Sequence, residues 1–308
     1  LWGKEHQLAA GVRYSDAHTH RQNDGTGTTG TGSDMGLTSG SFGKNLFFDN
    51  VNSAAFVENI FHIGSSLTVT PALRMENLLS RSKGYISAAI GDFESLENRR
   101  EFLLAGLGIQ YEWKNVNMYA NASQAYRPVT FSDFTPASTT DLIDPELKDG
   151  SGYNAELGIR GTRSGWLNFD AGVFYLLYDN RIGVVQRDNV NFRTNIGSSV
   201  SKGVEIFVEV DPIKVFNTQP KFGSVSLFVS GTLLDARYVR WDNPVLEADP
   251  ATSIVNRRVE YAPKQIWRSG ANYKVEGFTA SLQWSFVGQV FTDALNTVLP
   301  SSNAQTGL

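Results

Sequence analysis

The residues near the start of the chain that are best suited to chemistry are the acid and the two histidines of the run DAHTH. Asp16, His18 and His20 repeat a D-x-H-x-H pattern found in metal-dependent hydrolases, where histidines one residue apart on a strand hold a divalent metal. That chemistry needs further histidines downstream, but the chain has 4 histidines and the other two are His6 and His62. We therefore expect solvated loop histidines, and a metal contact by His18 and His20 stays open.

The sequence offers no other catalytic arrangement. The glycine-rich segment 24–32 lacks the lysine and the following helix of a phosphate-binding loop. No Gly-x-Ser-x-Gly segment provides a serine nucleophile, and the absence of cysteine excludes disulfides and thiolate metal sites. We expect neither enzymatic activity nor a cofactor.

Alternation of apolar and polar side chains is the strongest structural signal in the chain. Residues 165–178 read GWLNFDAGVFYLLY, and residues 224–233 repeat the pattern. Because successive side chains of a strand point to opposite faces, each segment has one apolar and one polar face. Such alternation, repeated over many long segments, is typical of a transmembrane β-barrel with a wet interior.

The composition agrees with an antiparallel transmembrane β-barrel, an all-β fold. Charged residues make up 19% of the chain, aromatic residues 12%, and the mean hydropathy is −0.23. No apolar run is long enough for a membrane-spanning helix. The net charge of −4 and the pI near 5.6 argue against nucleic acid as a partner.

The alternating segments predict about eleven strands, joined by connections that are short and long in turn. The predicted strands are roughly 5–14, 53–62, 66–79, 99–113, 115–126, 150–162, 166–186, 193–210, 223–238, 259–275 and 278–292. Because outer-membrane barrels have short periplasmic turns and long outer loops, we assign the long connections to the outside. An odd count leaves an open edge, so we expect the chain to be part of a larger barrel.

The period of two also predicts which face each side chain occupies, since a one-residue slip would reverse both faces. The side chains expected to face lipid are Leu103, Leu107, Ile109, Tyr111, Leu167, Phe169, Val173, Val225, Leu227, Ala280, Leu282 and Trp284. Those expected to line the interior include Arg74, Glu76, Glu156, Arg160, Asp170, Glu205 and Glu209.

Five segments, in this order, resemble the barrel domain of TonB-dependent outer-membrane receptors, and the last of them, at 261–265, resembles the ferric dicitrate type in particular. They are LTVTPALRME at 67–76, DPELKDGSGYNAELGIRG at 144–161, FDAGVFYLLYDNR at 169–181, NIGSSVSKGVE at 195–205 and YAPKQ at 261–265. Each motif alone is weakly specific, whereas their shared order and spacing are characteristic of the superfamily. Among its members the chain is most similar to receptors of the ferric dicitrate type.

The resemblance implies a barrel of about 22 strands around a plug, located in the bacterial outer membrane. No plug, TonB-binding box or final strands are recognisable in residues 1–308. We therefore expect the chain to be an incomplete barrel domain that does not transport by itself or fold stably without detergent. The partners implied for the parent protein are a small-molecule ferric chelate, outer-membrane lipid and, through the missing plug region, the TonB complex.

The implied function is uptake of a ferric chelate, either ferric dicitrate or a siderophore, into the periplasm. Carboxylate chelates are anionic and suit guanidinium and amide donors. The expected donors at the outer strand ends are Arg81, Arg127, Gln186, Arg187 and Arg193. The same loops carry many acids, so no basic basin is evident; these acids include Asp133, Asp141, Asp144, Asp242 and Asp249.

Three other functions remain open. One is a passive porin or substrate-specific channel, and another is a TonB-dependent receptor for a non-iron substrate. A secreted all-β adhesin would need a dry second face, whereas the second faces here carry Asn, Asp, Arg, Glu and Ser.

Overall fold

The structure is a computed structural model, and it is built mainly of long β-strands. The residues that the structure describes are 5–23, 42–87, 92–136, 141–187, 190–216, 223–243 and 247–300, with the backbone alone described at 93–94, 134, 186–187 and 190. No helix in this part of the chain is long and apolar enough to cross a membrane.

Eleven strands follow one another as antiparallel neighbours in a single sheet, and a short twelfth strand, β6, lies off this path and pairs in parallel with β9. The strands are β1 Gln7–Asn23, β2 Lys44–Ile63, β3 Leu67–Tyr85, β4 Phe93–Trp113, β5 Val116–Arg127, β6 Asp141–Ile143, β7 Gly150–Arg163, β8 Leu167–Arg187, β9 Val190–Val210, β10 Ser224–Trp241, β11 Gln265–Val275 and β12 Phe278–Val287. The predicted all-β, antiparallel architecture and its eleven-strand path are confirmed.

Tight turns close one end of the sheet. Lys114, Ser164 and Glu276 adopt φ angles of 56°, 48° and 48°, the left-handed backbone that two- and three-residue hairpin turns require. The connection between β9 and β10 is longer and contains the helix α2, Pro212–Phe216. At the opposite end the connections after β1, β3, β5 and β10 are long, as the sequence predicts. The connection predicted at 187–192 is wrong, because β8 continues to Arg187 and β9 begins at Val190.

The strand register confirms the predicted faces. Tyr111 pairs with Met118, Met118 with Ile159, and Ile159 with Ala171, so an apolar row crosses four strands on one side. All twelve residues predicted to face lipid lie on this apolar face. The acids and arginines predicted for the interior lie on the other side, which we call the polar face.

Several predicted strand ends are wrong, and each has a local cause. Strands β1 and β2 continue to Asn23 and from Lys44, so His18 and His20 lie within a strand and not in a loop. Above a membrane both faces of a hairpin are wet, and the period-2 signal that marks its limits is lost. Strand β11 starts at 265 and not at 259, because Tyr261 has a φ of 57° and Pro263 has no N–H to donate.

Two small clusters of buried apolar side chains lie near the outer ends of the strands. Val129 and Leu147 form one with the partly buried Leu96, Ile143 and Ile182. The second is formed by Tyr238, Trp241 and Ile254, with further partly buried apolar residues around them. Within the described residues no buried apolar cluster forms along the rest of the sheet, so its apolar face depends on an external apolar solvent.

Candidate functional site

The connection between β5 and β7 folds back over the polar face at the outer rim. It contains the helix α1, Phe131–Phe134, and the strand β6. The ring of Phe131 packs against that of Phe48 on β2, with 4.7 Å between the centroids. Since β6 pairs with β9, this one connection reaches from β2 to β9 across the polar face.

A buried arginine supports the base of this connection. Arg100 on β4 has a side chain that is 6% exposed. It donates to Asp149 Oδ1 at 3.0 Å, to the Val129 carbonyl at 3.2 Å and to the Ser80 hydroxyl. Asp149 also accepts from the Val129 amide at 2.6 Å and from the Tyr126 hydroxyl. The two ends of the loop are thereby fastened to strands β3, β4 and β5.

Two of the predicted donors converge on one carboxylate of α1. The Asp133 carboxylate accepts from Arg127 Nη2 at 3.0 Å and from Arg193 Nη1 at 3.3 Å. Thr130 adds its amide at 2.8 Å and its hydroxyl at 2.7 Å. Burial would raise the pKa of Asp133, but the hydrogen bonds from Thr130 and the Arg127 guanidinium outweigh it and hold the pKa below the usual 3.8.

The arginine pair retains unused hydrogen-bonding capacity. Arg127 Nη1 is buried and has no hydrogen-bond partner among the described residues. Buried donors are rarely left unpaired, so an unpaired one next to an anion site suggests a further acceptor. Arg127, Arg193 and Asp133 therefore form a cationic site that can take an additional anionic oxygen.

Another guanidinium of the polar face, that of Arg181, was not among the predicted donors. Arg181 lies between the rings of Tyr178 and Tyr238, 5.2 and 5.4 Å from their centroids, and donates to the Ser199 hydroxyl at 3.3 Å. Its Nε is buried without a partner in the described part of the chain. Arg181 ends one of the motifs quoted above, but its place between two tyrosines depends on a register shift at 178–181 that the sequence does not reveal.

Of the other predicted donors, Arg81 is not brought to this site. Arg81 lies on the apolar face, above the lipid-facing residues of β3, and is 2.8 Å from Glu97 Oε2. The backbone of Gln186 and Arg187 belongs to the end of β8, whereas their side chains lie outside the described residues. The donor role of these three residues stays a prediction.

The two histidines of the DAHTH run have protein partners. His18 Nδ1 is 2.6 Å from Asp49 Oδ1, and its Nε2 is 3.3 Å from Asp16. His20 Nε2 is 2.6 Å from Asn45 Oδ1, and its ring stacks on that of Phe47 at 4.2 Å. No group of three or more histidines and acids within the described ranges is arranged to hold a metal ion. These histidines therefore act as cross-strand contacts.

Deeper along the polar face, acids surround a tyrosine. Tyr119 donates to Glu156 Oε1 at 3.2 Å and to Asp170 Oδ1 at 3.1 Å. Its ring covers Gly158, where a Cβ atom would lie 2.4 Å from the ring. A cavity of about 300 Å³ here is also lined by Glu205 and Thr232. This wall is polar and acidic, in contrast to the arginines at the rim.

Comparison with known proteins identifies the architecture. The family model described as "TonB dependent receptor-like, beta-barrel" matches residues 1–306. The chain belongs to this TonB-dependent receptor family. Its receptors are β-barrels of the bacterial outer membrane, so the chain lies in that membrane with its apolar face towards lipid. The short turns then point to the periplasm and the rim site to the cell exterior.

Several solved structures share the fold. The unliganded ferric citrate transporter FecA aligns with 98% of this chain and 42% of its own, at 23% identity and a TM-score of 0.73. The ferric yersiniabactin uptake receptor FyuA from Yersinia pestis aligns over 96% and 42%, at 14% identity and a TM-score of 0.71. The copper transporter OprC aligns over 94% and 41%, at 13% identity and a TM-score of 0.66. The chain spans about two fifths of the length of these proteins.

Proposed function

We propose that the receptor containing this chain binds an anionic ferric chelate, of the dicitrate or another carboxylate type, at the outer rim and passes it to the periplasm. The observation that carries the proposal is the convergence of Arg127 and Arg193 on a single carboxylate on the exterior side of the polar face. Two guanidinium groups that bind one carboxylate of the protein can equally bind a carboxylate of a ligand.

The arrangement favours a carboxylate ligand over a neutral one. Arg127 Nη1 and Arg181 Nε have no acceptor among the described residues, and charged oxygen atoms are the strongest acceptors for guanidinium. The tyrosines beside Arg181 hold its guanidinium plane in place, which lowers the entropy lost on binding. The acidic wall below would repel an anion, so a ligand of this type would be retained at the rim.

Membership of the receptor family favours energised uptake over passive diffusion through a porin. In the parent protein, coupling would run from the TonB complex through a plug inside the barrel. A receptor for a non-iron substrate is the second candidate, and the fold shared with the copper transporter OprC supports it. A test therefore has to compare metals as well as chelators.

The test uses the full-length receptor in detergent and titrates it with ferric dicitrate, a neutral ferric hydroxamate and cupric citrate. Alanine at Arg127 or Arg193 should weaken ferric dicitrate binding by roughly 1.5–3 kcal/mol, the scale of a charge-assisted hydrogen bond. Alanine at Arg187 is expected to act in the same way. Alanine at Arg99 is the matched control, because that residue is exposed on the apolar face of β4.

Unchanged affinity for every chelate in all three site variants would remove these arginines from the site. Tighter binding of cupric citrate than of ferric dicitrate by the wild-type receptor would favour the non-iron candidate. Passage of the chelate into cells without an energised inner membrane would instead favour a passive channel.

A further inference from the structure

Asp133 occupies the position on the two arginines that a ligand carboxylate would need. Its side chain is 5% exposed, whereas those of Arg127 and Arg193 are 40% and 24% exposed. The guanidinium groups are therefore open to solution while the carboxylate that neutralises them lies beneath. An anion that arrives from outside meets the arginines first and finds them already engaged.

The short helix α1 depends on this ion pair. Helix α1 has four residues, too few to be stable without tertiary contacts. Besides the bonds of Asp133, α1 is held by the Phe131–Phe48 packing, by the bond from Arg193 to the Ser132 carbonyl at 2.9 Å and by contacts with β3. If Asp133 leaves the arginines, α1 loses most of what fastens it to β5 and β9.

We propose that Asp133 is an internal substitute for the ligand carboxylate, which a ligand bearing several carboxylates displaces, and that this displacement releases α1 from the rim. The identity of the ligand rests on the proposed function, whereas the occupancy of the site by Asp133 does not. In the free receptor the site is thus filled and one of its two positive charges is neutralised. In the liganded receptor the arginines hold the chelate.

The tether of Asp133 makes the displacement selective. Exchanging one carboxylate for another leaves the number of charge-assisted hydrogen bonds unchanged, so a simple carboxylate gains almost nothing. Asp133 also competes at the high effective concentration of a group in the same chain. A ligand with several carboxylates gains further bonds, because the departure of Asp133 uncovers Arg127 Nη1, which is buried and has no partner among the described residues. Acetate should therefore fail to displace Asp133 where ferric dicitrate succeeds.

The first experiment removes the competitor. Asp133→Asn keeps the shape and an acceptor for Thr130 but leaves both arginines without their counter-ion. Ferric dicitrate should bind this full-length variant about tenfold more tightly than the wild-type receptor, and a neutral hydroxamate chelate should bind both equally. The matched control is Asp242→Asn, which removes the same charge from another rim ion pair, that with Arg240. Equal or weaker ferric dicitrate binding by Asp133→Asn would overturn the proposal.

The second experiment follows α1 directly. The chain contains no cysteine, so spin labels can be placed at Ser132→Cys and, on β10, at the exposed Val239→Cys of the full-length receptor. Asp133→Asn should broaden the distance distribution without any ligand, and saturating ferric dicitrate should broaden it in the receptor that retains Asp133, while acetate should not. A distribution that stays narrow in the presence of bound ferric dicitrate would overturn the displacement.

The two experiments separate this proposal from the proposed function. If the wild-type receptor binds no ferric chelate but Asp133→Asn loosens α1, the function is wrong and the internal occupancy by Asp133 stands. If ferric dicitrate binds and neither its affinity nor the spin-label distances respond to Asp133→Asn, the function stands and the internal substitute is wrong.

Discussion

At the residue scale, the acids of the outer rim determine what the neighbouring arginines can do. Asp149 neutralises Arg100, and Asp179 accepts from Arg240 at 2.8 Å. Asp133 pairs with two arginines at once and offsets one of their two charges. The rim is therefore less basic than a count of arginines suggests, and its remaining binding capacity lies in single unpaired N–H groups. Recognition of an anion then depends on the placement of a few donors and not on a broad positive field.

The pKa of His18 on β1 is a prediction that can be measured directly. The hydrogen bond to Asp49, with added attraction from Asp16 and Asp49, raises the pKa of His18 above its ordinary 6.5. Protonated His18 thus contributes stability that is fully present below pH 6.5 and is lost as the pH rises through the folded-state pKa. Asp49→Asn should lower this pKa towards 6.5 in an NMR titration of the imidazole resonances.

Asp242→Asn serves as the control for this titration. Asp242 follows β10, many strands away from β1, and pairs with Arg240. It should leave the pKa of His18 unchanged. If the His18 imidazole titrates at its ordinary pKa in the wild-type receptor, the contact with Asp49 is not formed in the membrane-embedded protein.

At the element scale, the strands are longer than is needed to cross the membrane. A tilted strand of about ten residues crosses the bilayer, while β3 has 19 residues and β8 has 21. The remaining length forms hairpins that stand in water and carry the rim site. The backbones of neighbouring strands come very close to each other there. Gly197 has a φ of +124°, and a Cβ added to it would lie 2.1 Å from the Arg240 carbonyl, next to the register shift in β10.

The connection between β5 and β7 should lose its fixed conformation when its buried arginine is removed. Arg100→Ala leaves Asp149 charged and largely buried without its partner, which costs about 3–5 kcal/mol for a buried ion pair. Hydrogen exchange measured by mass spectrometry should show faster exchange across 128–149 and little change in the membrane-spanning strands. Arg99→Ala, on the opposite face of the same strand, should leave the exchange of 128–149 unchanged. Equal protection in Arg100→Ala would contradict a supporting role for Arg100.

At the scale of the whole molecule, two solvents stabilise one sheet. The apolar face carries exposed large side chains along the periplasmic halves of the strands, including Leu73, Leu103, Leu157 and Val173. The opposite face carries the Tyr119 cluster of acids. A sheet with these faces is stable only when lipid covers one side and polar groups or water meet the other.

A charge placed on the lipid-facing side measures this directly. Leu107 lies six residues from the end of β4 at Trp113, which is roughly the depth of the bilayer midplane for a tilted strand. Leu107→Arg should destabilise the full-length receptor in lipid vesicles by about 2–4 kcal/mol. Gln110→Arg, on the polar face of the same strand, should cost far less. Urea unfolding followed by tryptophan fluorescence distinguishes the two, and equal costs would show that β4 does not face lipid as assigned.

The sequence by itself determines the parts of this protein that follow a local rule. The period of two fixed the faces of Leu107, Val173 and Glu156, since each side chain in the membrane must suit either lipid or a wet interior. The same rule predicted eleven strands and the alternation of short and long connections. The ordered motifs predicted the receptor family. These features need no knowledge of which distant residues meet.

Only the tertiary structure decided what the rim residues contact. Arg193 and Asp133 are 60 residues apart, and they meet because the connection between β5 and β7 folds over the polar face and pairs with β9 through β6. Arg81 lies on the apolar side although it was predicted as a donor, and Arg181 reaches its tyrosines through a register shift. Outside the membrane both faces of a strand are in contact with water. The sequence there has no apolar–polar alternation that would predict the face of a side chain. Ion pairs between distant segments then depend on register and loop folding, which no local pattern encodes.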